Sequence, residues 1–226
     1  DLLMILDRAG NLIATNTMDR DENPLPVHEL SDLLGKNISR FPEEHKLFLS
    51  SIAGHSYHQD WYQSGVVQRL YGYQTKDESH QYNIALSEPI RDPNTHTIVG
   101  VWINILNWSY VQNILDSVEM DMATLDLRTG YSFMFAKDAN TFIGHKYRSN
   151  RVWEDERKRA ETQDFYGTTL VENYGLKNLH NAILKRAPDF DYELPKGNSK
   201  VCGLAPIDDI SFGWTVGVEI DQEDVF

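Results

Sequence analysis

The sequence is poor in cysteine, in basic residues and in long apolar runs. Cys202 is the one cysteine in 226 residues. No internal disulfide can staple the fold, and the thiol says nothing of the redox compartment. It sits in the strand-like run "KVCGLAPI" with no Cys-His signature beside it, the setting of a buried inert thiol rather than a nucleophile. Lysine and arginine number 21 against 34 aspartates and glutamates, a net charge of −13. Phosphate backbones would be repelled, which argues against a nucleic-acid partner. No apolar run approaches the about 20 residues of a membrane-spanning helix. No secretory signal pattern opens the chain; it begins inside a strand pattern, as a piece of something longer would. Phosphate-binding glycine loops, zinc signatures and nucleophile motifs are absent, so no cofactor and no catalytic residue is expected.

What is present is a repeat. "SEPIRDPNTHTIVGVWI" (87–103) and "LAPIDDISFGWTVGVEI" (204–220) match without a gap. Pro89 pairs with Pro206, Asp92 with Asp209, and Val99-Gly100-Val101 with Val216-Gly217-Val218, each 117 positions on. A second pair of segments precedes these in the same order. "LLMILDRAGNLIAT" and "YSFMFAKDANTFIGH" each read as an apolar strand, a polar turn and a short second strand. Gly10 corresponds to Asn140, both tolerant of the positive φ that closes a hairpin. Two block types in constant order point to a duplicated domain of long period, not a solenoid.

The elements between these blocks follow from periodicity. "EEHKLFLSSIAG" puts Leu47, Phe48, Ser51 and Ile52 on one helical stripe, stopped by Gly54. The alternating aromatics of "YHQDWYQSGVVQRLYGY" predict one or two strands. "HQYNIALSEPI" and "TIVGVWINIL" predict two more. "NWSYVQNILDSV" predicts a helix with Trp108, Val111, Leu115 and Val118 on one face. A strand is predicted over 123–127, a charged solvated segment over "RVWEDERKRAETQ", and an amphipathic helix over "YGLKNLHNAILKR". Landmarks are 13 residues further apart in the first half than in the second, material that could wall a pocket. The plan is α+β: two tandem modules, each a central antiparallel sheet with flanking helices. The expected boundaries are 1–108 and 109–226, with a bridging helix starting the second module.

These blocks, in this order, resemble double Cache domains, the PAS-like extracytoplasmic sensors of bacterial and archaeal chemoreceptors and sensor kinases. The long helix that precedes the first strand in that family is missing from this chain. The resemblance implies a small-molecule sensor held between membrane helices outside this chain, homodimeric in the full-length receptor. The ligand would bind the membrane-distal module, residues 1–108, and the membrane-proximal module would pass the shift on.

The amino-acid-binding subset of the family carries Arg-x-Trp-Tyr at its pocket helix. Aligned by Gly54, His45, Leu47 and Phe48 stand at those positions. The subset also holds the ligand ammonium with an aspartate after the Gly-Val strand; the nearest polar residue here is Asn104. A carboxylate ligand wants a bidentate Arg and an ammonium wants a carboxylate. With both missing, a free amino acid is less expected than a purine-like compound, an amine or another polar molecule.

What remains is "SYHQDWYQS". On a strand His58, Asp60, Tyr62 and Ser64 share one face, and Tyr57, Gln59, Trp61 and Gln63 the other. Tyr71, Tyr73 and Tyr82 follow, and Asn83 opens the next strand. Stacking rings beside one carboxylate would suit a flat N–H-rich compound or a cation; alternatively the aromatics only cover the sheet, where they are favoured. With Asp60 in the pocket and no Arg to offset it, dicarboxylates are expected not to bind the first half. His55, His58 and Asp60 lack a metal signature, and no metal is expected. Two rival functions stay open: a solute-binding protein serving a transporter, and a hydrolase using Cys202 or a His-Asp pair.

Overall fold

The computed structural model describes residues 1–19, 21–71, 82–145, 168–193, 199–207 and 212–225. The chain divides into two compact units, Asp1–Trp108 and Ser109–Phe226. The first runs β1 (Leu2–Asp7), β2 (Leu12–Thr15), α1 (Val27–Leu33), a 3₁₀ turn (Ile38–Arg40), α2 (Pro42–Ile52), β3 (Tyr57–Tyr62), α3 (Gly65–Tyr71), β4 (Asn83–Arg91) and β5 (Ile98–Asn107). The second runs α4 (Ser109–Thr124), β6 (Tyr131–Phe135), β7 (Phe142–His145), α5 (Lys177–Leu184), β8 (Asp189–Glu193), β9 (Ser199–Pro206) and β10 (Thr215–Asp221). The sheet orders are β2-β1-β5-β4-β3 and β7-β6-β10-β9-β8. Adding five to every strand number turns one into the other, and all pairings are antiparallel. The fold is α+β, with the repeated strands in separate sheets.

Alternation decides the core of the first unit. Leu2, Met4 and Leu6 of β1, Ala85 of β4, and Val101, Ile103 and Ile105 of β5 are buried on one face. That inner face is covered by Leu30 and Leu33 of α1, Leu47 and Phe48 of α2, and Val66 and Leu70 of α3. In the second unit Phe133, Phe135, Phe142, Cys202 and Leu204 meet Leu179, Ala182 and Ile183 of α5. The Val-Gly-Val repeat has a steric reason. A Cβ on Gly217 would lie 2.3 Å from the Phe133 ring, and one on Gly100 would lie 2.4 Å from the Leu6 carbonyl oxygen.

Four sequence expectations are corrected. The aromatic segment is not two strands, because "GVVQRLY" forms α3: Val66 and Leu70 share a helical stripe, and the Ser64 hydroxyl accepts the Val67 N–H at 3.1 Å. Ser64 thus acts as a helix cap. The strand expected over 123–127 gives way to α4, whose helix-forming Glu119, Met120, Met122 and Ala123 carry it to Thr124; Asp126 then turns with φ +64°. At the second hairpin the left-handed residue is Ala139, φ +56°, not Asn140. That turn closes from Ala136 to Thr141, against Asp7 to Asn11 in the first, so it is one residue longer. Asn140 instead holds Glu172 and the Val171 N–H through its amide. The gapless offset also slips in space: Asp92 closes on Thr97, whereas Ile207 closes on Trp214. The second loop is two residues longer, and Asp209 lies outside the described residues, as do Tyr73 and the segment 151–163.

Candidate functional site

The site is built on α2. Pro42 opens the helix, where its missing N–H costs nothing, and Glu43 and Glu44 favour the positive end of the helix dipole. Gly54, at φ +99°, follows its end. Leu47, Phe48 and Ser51 face the sheet, and one turn before Leu47 and Phe48 the same stripe reaches Glu44. Glu44 therefore enters the interior, with 0% of its surface exposed. Its Oε1 accepts the Ser64 hydroxyl at 2.6 Å. Its Oε2 is buried with no hydrogen-bond partner. Burial pushes its carboxyl pKa up, and the Ser64 hydrogen bond opposes this only in part.

Tyr62 completes the cluster. Its ring is 6% exposed, and its hydroxyl is buried beside Ser64 and Glu44 without a hydrogen bond of good geometry. Burial first, and the Glu44 charge second, hold the phenol protonated far above neutral pH. Asn83, 1% exposed, lies opposite Tyr62 in the β3–β4 ladder, and its Oδ1 accepts the Ser64 N–H at 3.3 Å. Further along the same face Ser51 donates to Ser87 at 2.8 Å. A carboxylate oxygen and a phenol hydroxyl thus meet under α2 with hydrogen-bonding capacity unused. Leaving such groups buried costs about 1–3 kcal/mol each, and a ligand carrying N–H donors or a positive charge would satisfy them.

Of the sequence candidates, Phe48, Tyr62 and Asn83 stand on this inner face. His45 does not: it is exposed, one position round the helix from Glu44. Asn104 alternates with the buried Ile103 and Ile105 and lies on the outer face. His58 pairs with Leu86 of the outer face, whereas Tyr57, Gln59 and Tyr62 pair with inner-face Ser87, Ala85 and Asn83. The ladder is irregular between Gln59 and Tyr62, and this breaks the expected sharing of one face by His58 and Tyr62. Asp60 is half-buried, and its carboxylate accepts the Trp61 N–H at 2.7 Å. Trp61 stacks on Tyr82 with ring centroids 4.1 Å apart. Tyr71 is 48% exposed at the end of α3. Among the described residues no cluster of three or more His, Cys, Asp or Glu could hold a metal.

Sequence reasoning missed Glu44, although the helical stripe pointed to it. It also missed a buried charge network in the second unit. Lys200 alternates with Cys202 and Leu204 on the inner face of β9. Its Nζ is 2.6 Å from Asp221 and 3.6 Å from Glu219, and 5.3 Å from the centre of the Tyr131 ring. The Tyr192 hydroxyl donates to Glu219. Burial, then the neighbouring Glu219, push the Cys202 thiol up to about 12. It is protonated at neutral pH, the opposite of an activated nucleophile. Every charge of this network has a partner inside it, so it fills the core rather than opening a site.

No family model matches the sequence, and no curated protein matches it. Solved structures do. The ligand-binding domain of the Pseudomonas fluorescens chemoreceptor CtaA, solved with L-alanine, matches all of this chain over 74% of its own, with a TM-score of 0.54 and 15% identity. That of the Pseudomonas aeruginosa amino acid chemoreceptor PctC, solved with GABA, matches 97% of this chain over 74% of its own, with a TM-score of 0.52 and 17% identity. An extracellular domain assigned to a histidine kinase, vpHK1S-Z8, matches 99% of this chain over 71% of its own, with a TM-score of 0.57 and 11% identity. At such identities the likeness speaks for the fold: the chain has the tandem PAS-like architecture found in the ligand-binding domains of chemoreceptors and in the extracellular domain of vpHK1S-Z8.

Proposed function

We propose that this chain is the extracytoplasmic sensor region of a transmembrane signalling receptor, most naturally a chemoreceptor, and not an enzyme. In this reading residues 1–108 are the membrane-distal, ligand-binding module, and residues 109–226 are the membrane-proximal one, opening on the helix α4 that relays the shift. Ligand acts by preferring one of two conformations. The observation that carries the reading is Glu44: a fully buried carboxylate whose Oε2 has no hydrogen-bond partner, beside the buried Tyr62 hydroxyl, under the helix of a fold shared with ligand-binding domains. A ligand N–H or ammonium group is the natural complement. Amines and purine N–H edges fit. So does the ammonium of an amino acid, and the CtaA and PctC domains were solved with L-alanine and GABA, which carry one. The acidic anchor moves from Asp60 to Glu44, but the ligand chemistry it favours stays the same.

Calorimetric titration of an amine, purine and amino-acid panel into the wild type and Glu44→Gln tests this. A saturable ligand should lose at least about tenfold in affinity in the variant, the equivalent of 1.4 kcal/mol. It should bind more weakly below the raised pKa of Glu44, where the carboxyl is neutral. A panel ligand that binds both proteins equally at pH 5 and pH 8 would place the site elsewhere.

A further inference from the structure

A cavity of about 500 Å³ lies in the first unit among the β1–β2 turn, the 3₁₀ turn and the end of α3. Glu44 is not part of its wall. Three cations line it: Lys36, just before the 3₁₀ turn, Arg40 at its end, and Arg69 in the last turn of α3. Its apolar wall comes from Leu33 and Ile38, both buried, and from the ring of Phe41. None of its nine lining residues is acidic. In a chain of net charge −13, cations would ordinarily find carboxylates. Yet among the described residues none of these three makes an ion pair.

Three cations sharing one concavity repel each other until an anion enters, and low-dielectric walls strengthen the field they make together. The arginines offer planar forks that match a carboxylate or phosphate, and Lys36 adds a point charge. The volume falls in the range of small-molecule sites, and Leu33, Ile38 and Phe41 offer a surface for carbon rather than for water. We propose that this cavity binds a small organic oxyanion, its carboxylate or phosphate held by Arg40, Arg69 and Lys36 and its carbon body laid on Leu33, Ile38 and Phe41. This reverses the expectation that dicarboxylates avoid the first half, which rested on a pocket built around Asp60. It also goes beyond the Glu44 site, whose own carboxylate would repel the same ligand, so the first unit would read two chemistries at two places.

The test is titration of phenyl phosphate, citrate and inorganic phosphate into the full chain at low ionic strength. At least one organic anion should bind saturably, and more tightly than inorganic phosphate. Which of the two binds identifies the head group. Affinity should fall by about tenfold or more in Arg40→Gln/Arg69→Gln, fall with added salt, and drop partway in Lys36→Gln. All three side chains are exposed, so the fold should survive, and circular dichroism checks that it does. Glu44→Gln should bind the anion as the wild type does, while the arginine pair variant should keep any amine binding; failure of one site is thereby told apart from failure of the other. The proposal is overturned if neither organic anion saturates, if inorganic phosphate binds as tightly as they do, or if the double variant binds unchanged.

Discussion

Two buried ionisable residues show how position overrides type. Glu44 and His45 are neighbours in sequence, yet one is sealed under α2 and the other is exposed, because a helix turns about 100° per residue. A carboxyl whose pKa is higher in the fold than in the unfolded chain makes the fold bind the proton more tightly. The stability Glu44 contributes is therefore fullest below its ordinary pKa of 4.5 and is lost as pH rises through its raised value. Replacing it with glutamine should leave stability near wild type at pH 4 and raise it by about 1–3 kcal/mol at pH 8. Urea unfolding at the two pH values reads this directly; a variant less stable than wild type at pH 8 would contradict the unpartnered charge. Cys202 makes the complementary case. Buried beside Glu219 and with its thiol pushed up to about 12, it should resist a thiol-specific disulfide reagent at pH 8 in the native protein and react fully once unfolded. Rapid native labelling would mean an open thiol.

At the scale of elements, close approach and hairpin closure explain what the repeat preserves. Gly100 and Gly217 each sit mid-sheet with no space for a Cβ. Gly217→Ala should destabilise the second unit by about 1–3 kcal/mol, the usual cost of overpacking, measured as a shift in denaturant midpoint at constant slope. Ligand binding in the first unit should be untouched, since the Phe133 ring it displaces belongs to the second core. An unchanged midpoint would show that the strand relaxes freely. Ser64 joins two elements at once: it caps α3 through Val67 and donates to Glu44. Ser64→Ala should cost about 1–2 kcal/mol as a lost cap and should push the Glu44 pKa further up, because the side-chain hydrogen bond that holds it down is gone. Periodicity found α2, α5 and both repeated hairpins. It failed on α3, since seven residues with two buried positions also fit a strand alternation, and it stopped α4 one and a half turns early.

Taken whole, the molecule is two copies of one sheet order with different contents. The first unit combines a buried carboxylate that has one oxygen without a hydrogen-bond partner with a basic cavity; in the second, Lys200, Glu219, Asp221 and Tyr192 pair with one another. Ligand response should follow that division. A ligand that binds only the folded state stabilises by about 2.7 kcal/mol at a hundredfold excess over its Kd, so a thermal-shift screen across amines, purines, amino acids and organic anions should resolve binders. The shift from an amine-type ligand should shrink with Glu44→Gln, that from an organic anion should shrink with the Arg40/Arg69 pair variant, and both should persist with Gly217→Ala. A ligand whose effect survives both first-unit variants and is lost in Gly217→Ala would place its binding in the second unit.

The sequence alone determined the duplication, the α+β class and the strands that repeat, because side-chain alternation and turn chemistry are local properties. It also determined which chemistries are scarce: one thiol and few cations. Only the tertiary structure decided which polar residues meet. The irregularity after Gln59 put His58 and Tyr62 on opposite faces, a parity that no run of alternating letters reveals. The convergence of Lys36, Arg40 and Arg69 joins a turn to a helix some thirty residues away. Such meetings depend on how elements pack across the chain, and burial acts on a residue only after that packing has chosen its neighbours.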